Sequence, residues 1–273
     1  MIKTKSKNNS LLWKIKNKEN DRYSYIYGTI HLRDKKVYFL IDKIKKLIEN
    51  SEFFIAEYDL DDNKQDEILA AMQMPAGKHL RNYFSDKKFI KAQKIIQKSY
   101  GLDIDKLGFL KPIALENMFT EMSFNTDFGL PLDFELWNFA KSLRKNLNGA
   151  ESAESQIKIL KKLSLKQQIK SFKQIIRNVS KYRNKLNRIT NYYVNQDITM
   201  LYKLSIKSLG KSKNILVYKR NEKICEKIIE IDKKGSVFAA IGAGHLWGEK
   251  GILRILKNNG YEISPLNFKD QKT

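Results

Sequence analysis

Two of the three histidines in the sequence stand three residues after a glycine at the end of an apolar run: Gly28-Thr29-Ile30-His31 and Gly242-Ala243-Gly244-His245. Random placement of 13 glycines and 3 histidines in 273 residues would give roughly 0.14 such spacings. Two occurrences therefore mark a built feature. A strand that ends in glycine lets the backbone turn sharply without a Cβ. The histidine is thereby thrown into the crevice at the carboxyl end of a sheet, where open α/β sheets place ligands. A single such histidine is readily explained as a core residue bonded to a carbonyl; a matched pair is not. Glu57 closes the next apolar run, Glu52-Phe53-Phe54-Ile55-Ala56-Glu57-Tyr58-Asp59. If the strands are parallel neighbours, its carboxylate emerges beside His31. Two imidazoles and a carboxylate can ligate a divalent cation and leave a position for water, which then ionises near neutral pH and attacks a carbonyl. Zinc, manganese, cobalt and iron suit such a set about equally. The same groups also work without metal, a histidine taking a proton from water while a carboxylate fixes its tautomer.

Other candidates are weaker. Asp59 shares a strand face with Glu57, but a polar strand end is the simpler reading. His79, in Gly77-Lys78-His79-Leu80, has no partner at ligand spacing and reads as structural or exposed. Cys225 lies in an amphipathic stretch and reads as a small apolar residue rather than a nucleophile. Gly242-x-Gly244 lacks the third glycine and the acidic residue of a dinucleotide loop. Trp247 reads as a packing residue.

The elements that must position these groups follow from the hydrophobic pattern. Leu11–Ile15 and Tyr23–Tyr27 read as a hairpin whose second strand enters the first Gly-x-x-His. A helix from about Lys36 to Asn50 and the buried strand ending at Glu57 complete a strand–helix–strand opening. The middle is helical at Asp66–Met74, Asp86–Tyr100 and Lys111–Met122. A turn at Gly129–Asp133 and a helix Phe134–Lys145 come next, then a short strand Asn146–Ala150 that reaches Glu151. From Ser155 to Tyr193 the pattern fits one long helix or two packed ones. A helix near Ile198–Leu209, the stretch Lys213–Tyr218 and a helix Asn221–Ile231 lead to the buried strand Ser236–Ile241, which enters the second Gly-x-x-His. A helix Gly248–Asn258 and a last strand Tyr261–Leu266, its proline best placed at an edge, close the chain. The expected fold is α/β: a mixed central sheet from the two terminal segments, about 11–60 and 213–268, around a helical insertion at about 62–210. A basic tail, 1–10, precedes it.

Composition narrows the function classes. Apolar residues make up 42% and aromatics 11%, enough for a buried core. No run approaches the 18 uncharged apolar residues of a membrane span. The N-terminal residues lack the apolar stretch of a secretory signal, so the expectation is a cytoplasmic protein, or a secreted or periplasmic one whose signal has been removed. The formal charge of +22 invites a nucleic-acid reading. Yet 43 of the 52 cations are lysine and only 9 arginine, and the lysines are spread along the chain. That is the signature of an AT-rich genome, so nucleic acid is not an expected partner.

The same residues resemble a known family. Trp13, Tyr27-Gly28-Thr29-Ile30-His31-Leu32 and Glu57-x-Asp59 resemble the start of TraB/PrgY/GumN proteins. Gly242-Ala243-Gly244-His245-Leu246-Trp247-Gly248-Glu249-Lys250-Gly251 with Gly260-Tyr261 resembles their closing motif. Gly129–Asp133, Gly149-Ala150-Glu151-Ser152 and Arg220-Asn221 match weaker signals between. The family includes the Tiki-like proteins, divalent-metal-dependent proteases, and is grouped with erythromycin esterase and ChaN-like proteins. The resemblance implies an erythromycin esterase/ChaN-like α/β fold and an active site at His31, Glu57 and His245, with Glu151 and Arg220 as supporters. Arg220 would bind a substrate carboxylate or stabilise developing negative charge; an exposed helix-end cation is the competing reading. The expected activity is that of a hydrolase, a metallopeptidase-like enzyme in which His31, Glu57 and His245 hold manganese, cobalt or zinc. Its substrate would be a peptide or small acyl compound. The alternatives are a metal-free esterase-like hydrolase and a non-catalytic protein that binds a peptide, haem or another ligand.

Overall fold

The computed structural model describes residues 9–19, 21–61, 64–124 and 129–266. All but Asn9 and Ser10 of the basic tail lies outside them, as does part of the turn between the first two strands. The chain divides into two compact units, one of residues 1–61, 128–152 and 189–273, the other of 62–127 and 153–188.

The first unit is an α/β layer structure. Its strands are β1 (Leu12–Asn17), β2 (Tyr23–Thr29), β3 (Phe53–Tyr58), β4 (Asn146–Glu151), β5 (Val237–Gly242) and β6 (Tyr261–Pro265). They form one mixed sheet in the order β4-β3-β5-β2-β1-β6. The four strands β4, β3, β5 and β2 run parallel; β1 pairs antiparallel with both β2 and β6. β5 sits between β3 and β2 because Val237-Phe238-Ala239-Ala240-Ile241 is apolar on both faces, as a central parallel strand requires. Phe238 stacks on Phe54 of β3 at 6.0 Å, and Trp137 meets Phe54 edge-on at 6.1 Å. The parallel arrangement brings the carboxyl ends of β2, β3, β4 and β5 to one edge. These are the strands that lead to His31, Glu57, Glu151 and His245.

Helix α1 (Ile41–Glu49) follows β2. The sequence pattern predicts one helix from Lys36, but a 3-10 turn, Lys35–Tyr38, precedes α1, started by Asp34, whose carboxylate caps the Lys36 amide.

The second unit is helical. It contains α2 (Gln65–Ala71), α3 (Asp86–Tyr100) and α4 (Pro112–Met122). Its core sets aromatic rings among aliphatic side chains: Phe119 stacks on Tyr100 at 4.6 Å and on Phe172 at 5.9 Å, with Ile96, Leu115 and Ile175 in the same cluster. His79 is structural, as expected: its side chain accepts from the Arg81 amide in a capping box and its Nε2 lies 2.9 Å from the Asp105 carbonyl.

Back in the sheet unit, α5 (Leu132–Ser142) begins at Pro131, which presets the first turn. The run from Ser155 is neither one helix nor two. It is three: α6 (Ala153–Lys162) and α7 (Leu165–Arg177), both in the helical unit, and α8 (Val179–Val194), which belongs to that unit as far as Arg188. Ser164 caps α7 through the Gln167 amide, and Asn178 leaves the helical region at φ −153° to end it. Apolar periodicity runs through such breaks because each helix buries its own stripe; only the cap residues reveal them. α9 (Ile198–Leu209) precedes a π-helical stretch, Asn214–Tyr218, that runs directly into α10 (Lys219–Asp232). α11 (Ile252–Asn258) and the edge strand β6, with Pro265 at its end, complete the chain. No helix among the described residues is long and apolar enough to cross a membrane.

Candidate active site

Arg220 organises the sheet edge. Its Nη2 donates to Glu57 Oε2 at 2.8 Å and its Nε to Glu151 Oε2 at 2.6 Å, so one guanidinium bridges the ends of β3 and β4. The third nitrogen, Nη1, reaches the Leu216 carbonyl at 3.4 Å and lies 3.5 Å from His245 Nε2. Leu216 belongs to the π-helical stretch, where the widened turn displaces a carbonyl from α-helical pairing and offers it to the side chain one turn on. The competing reading of Arg220 as an exposed helix-end cation does not hold, since only 16% of its side chain is exposed.

Glu57 is held from two sides: Oε2 by Arg220, and Oε1 by the Gly242 amide at 2.6 Å. Burial opposes its charge, but His245, Arg220 and the Gly242 amide outweigh burial and hold the carboxyl at about 2. A Cβ on residue 242 would lie 2.6 Å from that same Oε1. The role of Gly242 is thus different from the sharp turn expected from sequence. Its φ is −50°, open to any residue, and what glycine supplies is room for a carboxylate to reach the backbone. Gly28 behaves alike: a Cβ there would meet Leu246 at 2.9 Å and Ala243 at 3.1 Å, so the absent side chain lets the two Gly-x-x-His turns pack together. Their strands are in register, with Thr29 opposite Gly242.

His245 is buried at the end of β5, and its tautomer is determined. Asn221 Nδ2 donates to the carbonyls of Lys250, at 2.6 Å, and His245, at 3.3 Å. The amide oxygen therefore faces the ring and accepts from His245 Nδ1 at 2.6 Å. Nε2 is left as the lone-pair nitrogen, 4.0 Å from Glu57 Oε1. Burial lowers the pKa of His245; Glu57 works against that and Arg220 with it, so the imidazole is neutral near pH 7. Glu151 sits deeper, with no exposed side-chain surface. Burial raises its pKa against the pull of Arg220, and its Oε1 has no hydrogen-bond partner among the described residues.

His31 is placed at the same sheet edge but in a second pairing. Its Nδ1 lies 2.9 and 3.1 Å from the two oxygens of Asp133, and its ring meets Phe134 edge-on at 5.8 Å. Asp133 stands in the first turn of α5, and the segment before it is fastened to the loop after His31. Arg33 donates to the Gly129 carbonyl at 2.9 Å, Tyr38 donates to the Leu130 carbonyl, and the Leu132 amide reaches the Leu32 carbonyl at 3.3 Å. Tyr58 responds to both pairings: burial, then the charges of Asp133 and Glu57, push its phenol to about 12.

The structure thus joins Glu57, Glu151, Arg220 and His245 directly and pairs His31 with Asp133. Asp59 turns back to accept from the Asp61 amide at 2.9 Å, as a polar strand end does. Cys225 is buried in α10, its thiol pushed up to about 12 by burial. The sequence reading missed two residues that hold the histidines, Asp133 and Asn221. Both lay in stretches that it noted for other reasons, Gly129–Asp133 as a turn and Arg220-Asn221 as a weak motif.

No three His, Cys, Asp or Glu side chains stand together at ligand spacing among the described residues. The donor chemistry nonetheless suits a divalent ion. Each motif histidine gives its Nδ1 proton to an oxygen acceptor, Asp133 or Asn221, which makes Nε2 the nitrogen with the lone pair. Metal-ligating histidines are oriented in this way. Glu57 supplies a carboxylate beside one of them.

The model of the TraB/PrgY/gumN family matches residues 11–265. Among curated proteins, the chain is similar to metalloprotease TIKI1 of Xenopus tropicalis, 26% identical over 96% of this chain and 62% of that protein. It is similar to human metalloprotease TIKI1, 27% identical over 93% of this chain and 61% of that protein. It also resembles the metalloprotease TIKI homolog of Nematostella vectensis, 25% identical over 93% and 66%. The chain spans about three-fifths of the length of the first two relatives. No solved structure matches it significantly.

Proposed function

The chain belongs to the TraB/PrgY/gumN family, and from that premise we propose that it is a metal-dependent peptidase acting at the carboxyl edge of its parallel strands. The observation that carries this reading is the presentation of both Gly-x-x-His histidines through Nδ1, by Asp133 and by Asn221. His31, Glu57 and His245 are the residues that would hold a divalent ion. The chemistry such an ion supplies when bound is Lewis acidity, which polarises a carbonyl and acidifies water.

The chain's own groups do the rest. Asn221 keeps the His245 proton on Nδ1, so Nε2 enters the site as a base or a ligand and never as a donor near pH 7. Asp133 does the same for His31 and stabilises any positive charge that develops there. Glu57, at about 2, is ionised at every working pH. Arg220 holds Glu57 and Glu151 in place and directs Nη1 toward the site, where negative charge grows on a carbonyl oxygen under attack. An oxygen there gains a charged donor that is already oriented, since the two carboxylates fix the guanidinium plane.

A second reading, a metal-free esterase-like hydrolase, draws on one specific feature. Arg220 already neutralises Glu57 and lies 3.5 Å from His245 Nε2, so the cluster holds a cation of its own. Peptide cleavage by the purified chain, with and without excess chelator, separates the two. Loss of cleavage in chelator, restored by manganese, cobalt or zinc, supports the peptidase. Undiminished turnover in chelator rejects the metal.

A further inference from the structure

We propose that the open edge of β4 is a docking strand, on which an extended stretch of substrate polypeptide adds to the sheet and is led toward Glu151. The proposal rests on the peptidase reading and names the form in which that activity takes its substrate: unfolded main chain, recognised through its amides.

Among the described residues, β4 is the terminal strand of the sheet and pairs only with β3. Helices α5 and α10 pack on it, yet Leu147, Asn148, Gly149 and Ala150 all remain partly exposed, while the central strand β5 is buried from Val237 to Ile241. Solvent therefore reaches this strand within the sheet.

The register settles which groups look outward. The Asn146 amide donates to the Glu52 carbonyl at 3.4 Å, toward β3. Main-chain groups alternate from side to side along a strand, so those of the partly exposed Leu147 and Gly149 point to the open edge. Donors and acceptors repeat there at about 6.6 Å, a spacing that matches another extended backbone and little else.

Exposed edges are normally blunted by lysine, proline or a bulge. The opposite edge, β6, carries Pro265. β4 reads Asn-Leu-Asn-Gly-Ala-Glu, without lysine or proline, in a chain with 43 lysines. Its last residue is Glu151, which shares Arg220 with Glu57. A strand seated beside β4 is thus carried to the guanidinium that the proposed mechanism places at the scissile carbonyl.

The test uses the full chain and a peptide that it cleaves, resynthesised with one backbone nitrogen methylated at a time. Methylation removes a single N–H and leaves every side chain in place. Docking on β4 predicts that KM rises about tenfold at alternate residues on one side of the cleaved bond, the usual worth of one hydrogen bond, with kcat within twofold. An effect confined to the cleaved bond, or spread without alternation, overturns the proposal and leaves the peptidase reading intact. Leu147→Pro is the matching variant. It deletes an outward N–H while the ladder to β3, made by Asn146 and Asn148, stays whole, and proline is tolerated at such edge positions. A folded Leu147→Pro protein with KM raised about tenfold supports the proposal. Unchanged KM, with loss of a concentration-dependent dimer, assigns the edge to a second copy of the chain and overturns it. If Leu147→Pro fails to fold, the methylation series decides alone. A chain that cleaves no peptide refutes the peptidase reading and this proposal together.

Discussion

Replacing Arg220 by alanine tests the electrostatic frame of the site. The guanidinium is the hydrogen-bond donor to Glu151, through Oε2 at 2.6 Å, while Oε1 has none among the described residues. The Glu151 side chain has no exposed surface, so loss of Arg220 strands a carboxylate that water does not reach. Breaking a buried pair by removing one partner costs about 3–5 kcal/mol. Glu57 adds little to that, because it keeps the Gly242 amide and is 23% exposed. For a chain of this size, about 3–5 kcal/mol corresponds to a fall in Tm on the order of 10 °C. Thermal unfolding followed by circular dichroism at pH 7 measures it. The cause is checked by Arg220→Ala/Glu151→Gln, in which the stranded charge is gone: most of the lost stability should return, while activity should not. The cost of Arg220→Ala should also shrink as the pH is lowered and the Glu151 carboxyl takes up a proton. A single variant within 1 °C of the wild type, or a double variant no more stable than the single, would refute the reasoning.

Other outcomes follow from the same contacts. Asp133→Asn and Asn221→Ala remove the acceptors that orient His31 and His245, and each should lower kcat/KM by about 10–100-fold. Asp133→Asn should leave stability within about 1 kcal/mol. Asn221→Ala, which orphans the buried His245 and Lys250 carbonyl contacts, should cost about 2 kcal/mol or more in urea unfolding. The pH dependence has a definite sign. Glu57, at about 2 against an ordinary 4.5, contributes stability that is complete above pH 4.5 and lost as the pH falls toward 2. His245, lowered by burial from 6.5, contributes stability that is complete above pH 6.5 and lost as the pH falls through its folded value. A pH–rate profile should place the acid limb of kcat/KM below 6.5; a limb at or above 6.5 would contradict the neutral, buried imidazole.

Much of this site was legible in the sequence for a physical reason. Parallel strands end at one edge, so residues that close apolar runs, His31, Glu57, Glu151 and His245, are gathered by topology alone. The strand reaching Glu151 follows from that rule, but the neighbour order does not: Glu57, expected beside His31, stands beside His245 instead, because β5 lies between β3 and β2. What stayed hidden depends on contacts between distant segments. Asp133 lies 102 residues from the His31 ring that it holds. Asn221 is legible only once the Lys250 carbonyl is known to claim its amide nitrogen. Gly242 was read through backbone freedom, but its function is space for the Glu57 carboxylate, a fact no local pattern contains. The break of the apolar run after Ser155 into three helices was similarly masked, because periodicity reports buried faces and only the caps at Ser164 and Asn178 report ends.

The central claim is that the two motif histidines serve one metal-dependent site, and metal content tests it most directly. Wild-type protein and the His31→Ala/His245→Ala variant, purified gently and shown folded by circular dichroism, would be incubated with manganese, cobalt and zinc, desalted and measured by mass spectrometry. The account predicts near-stoichiometric metal in the wild type and none in the variant, with peptide cleavage lost in parallel. Wild-type protein that retains no metal, or a folded variant that retains as much as the wild type, would contradict it.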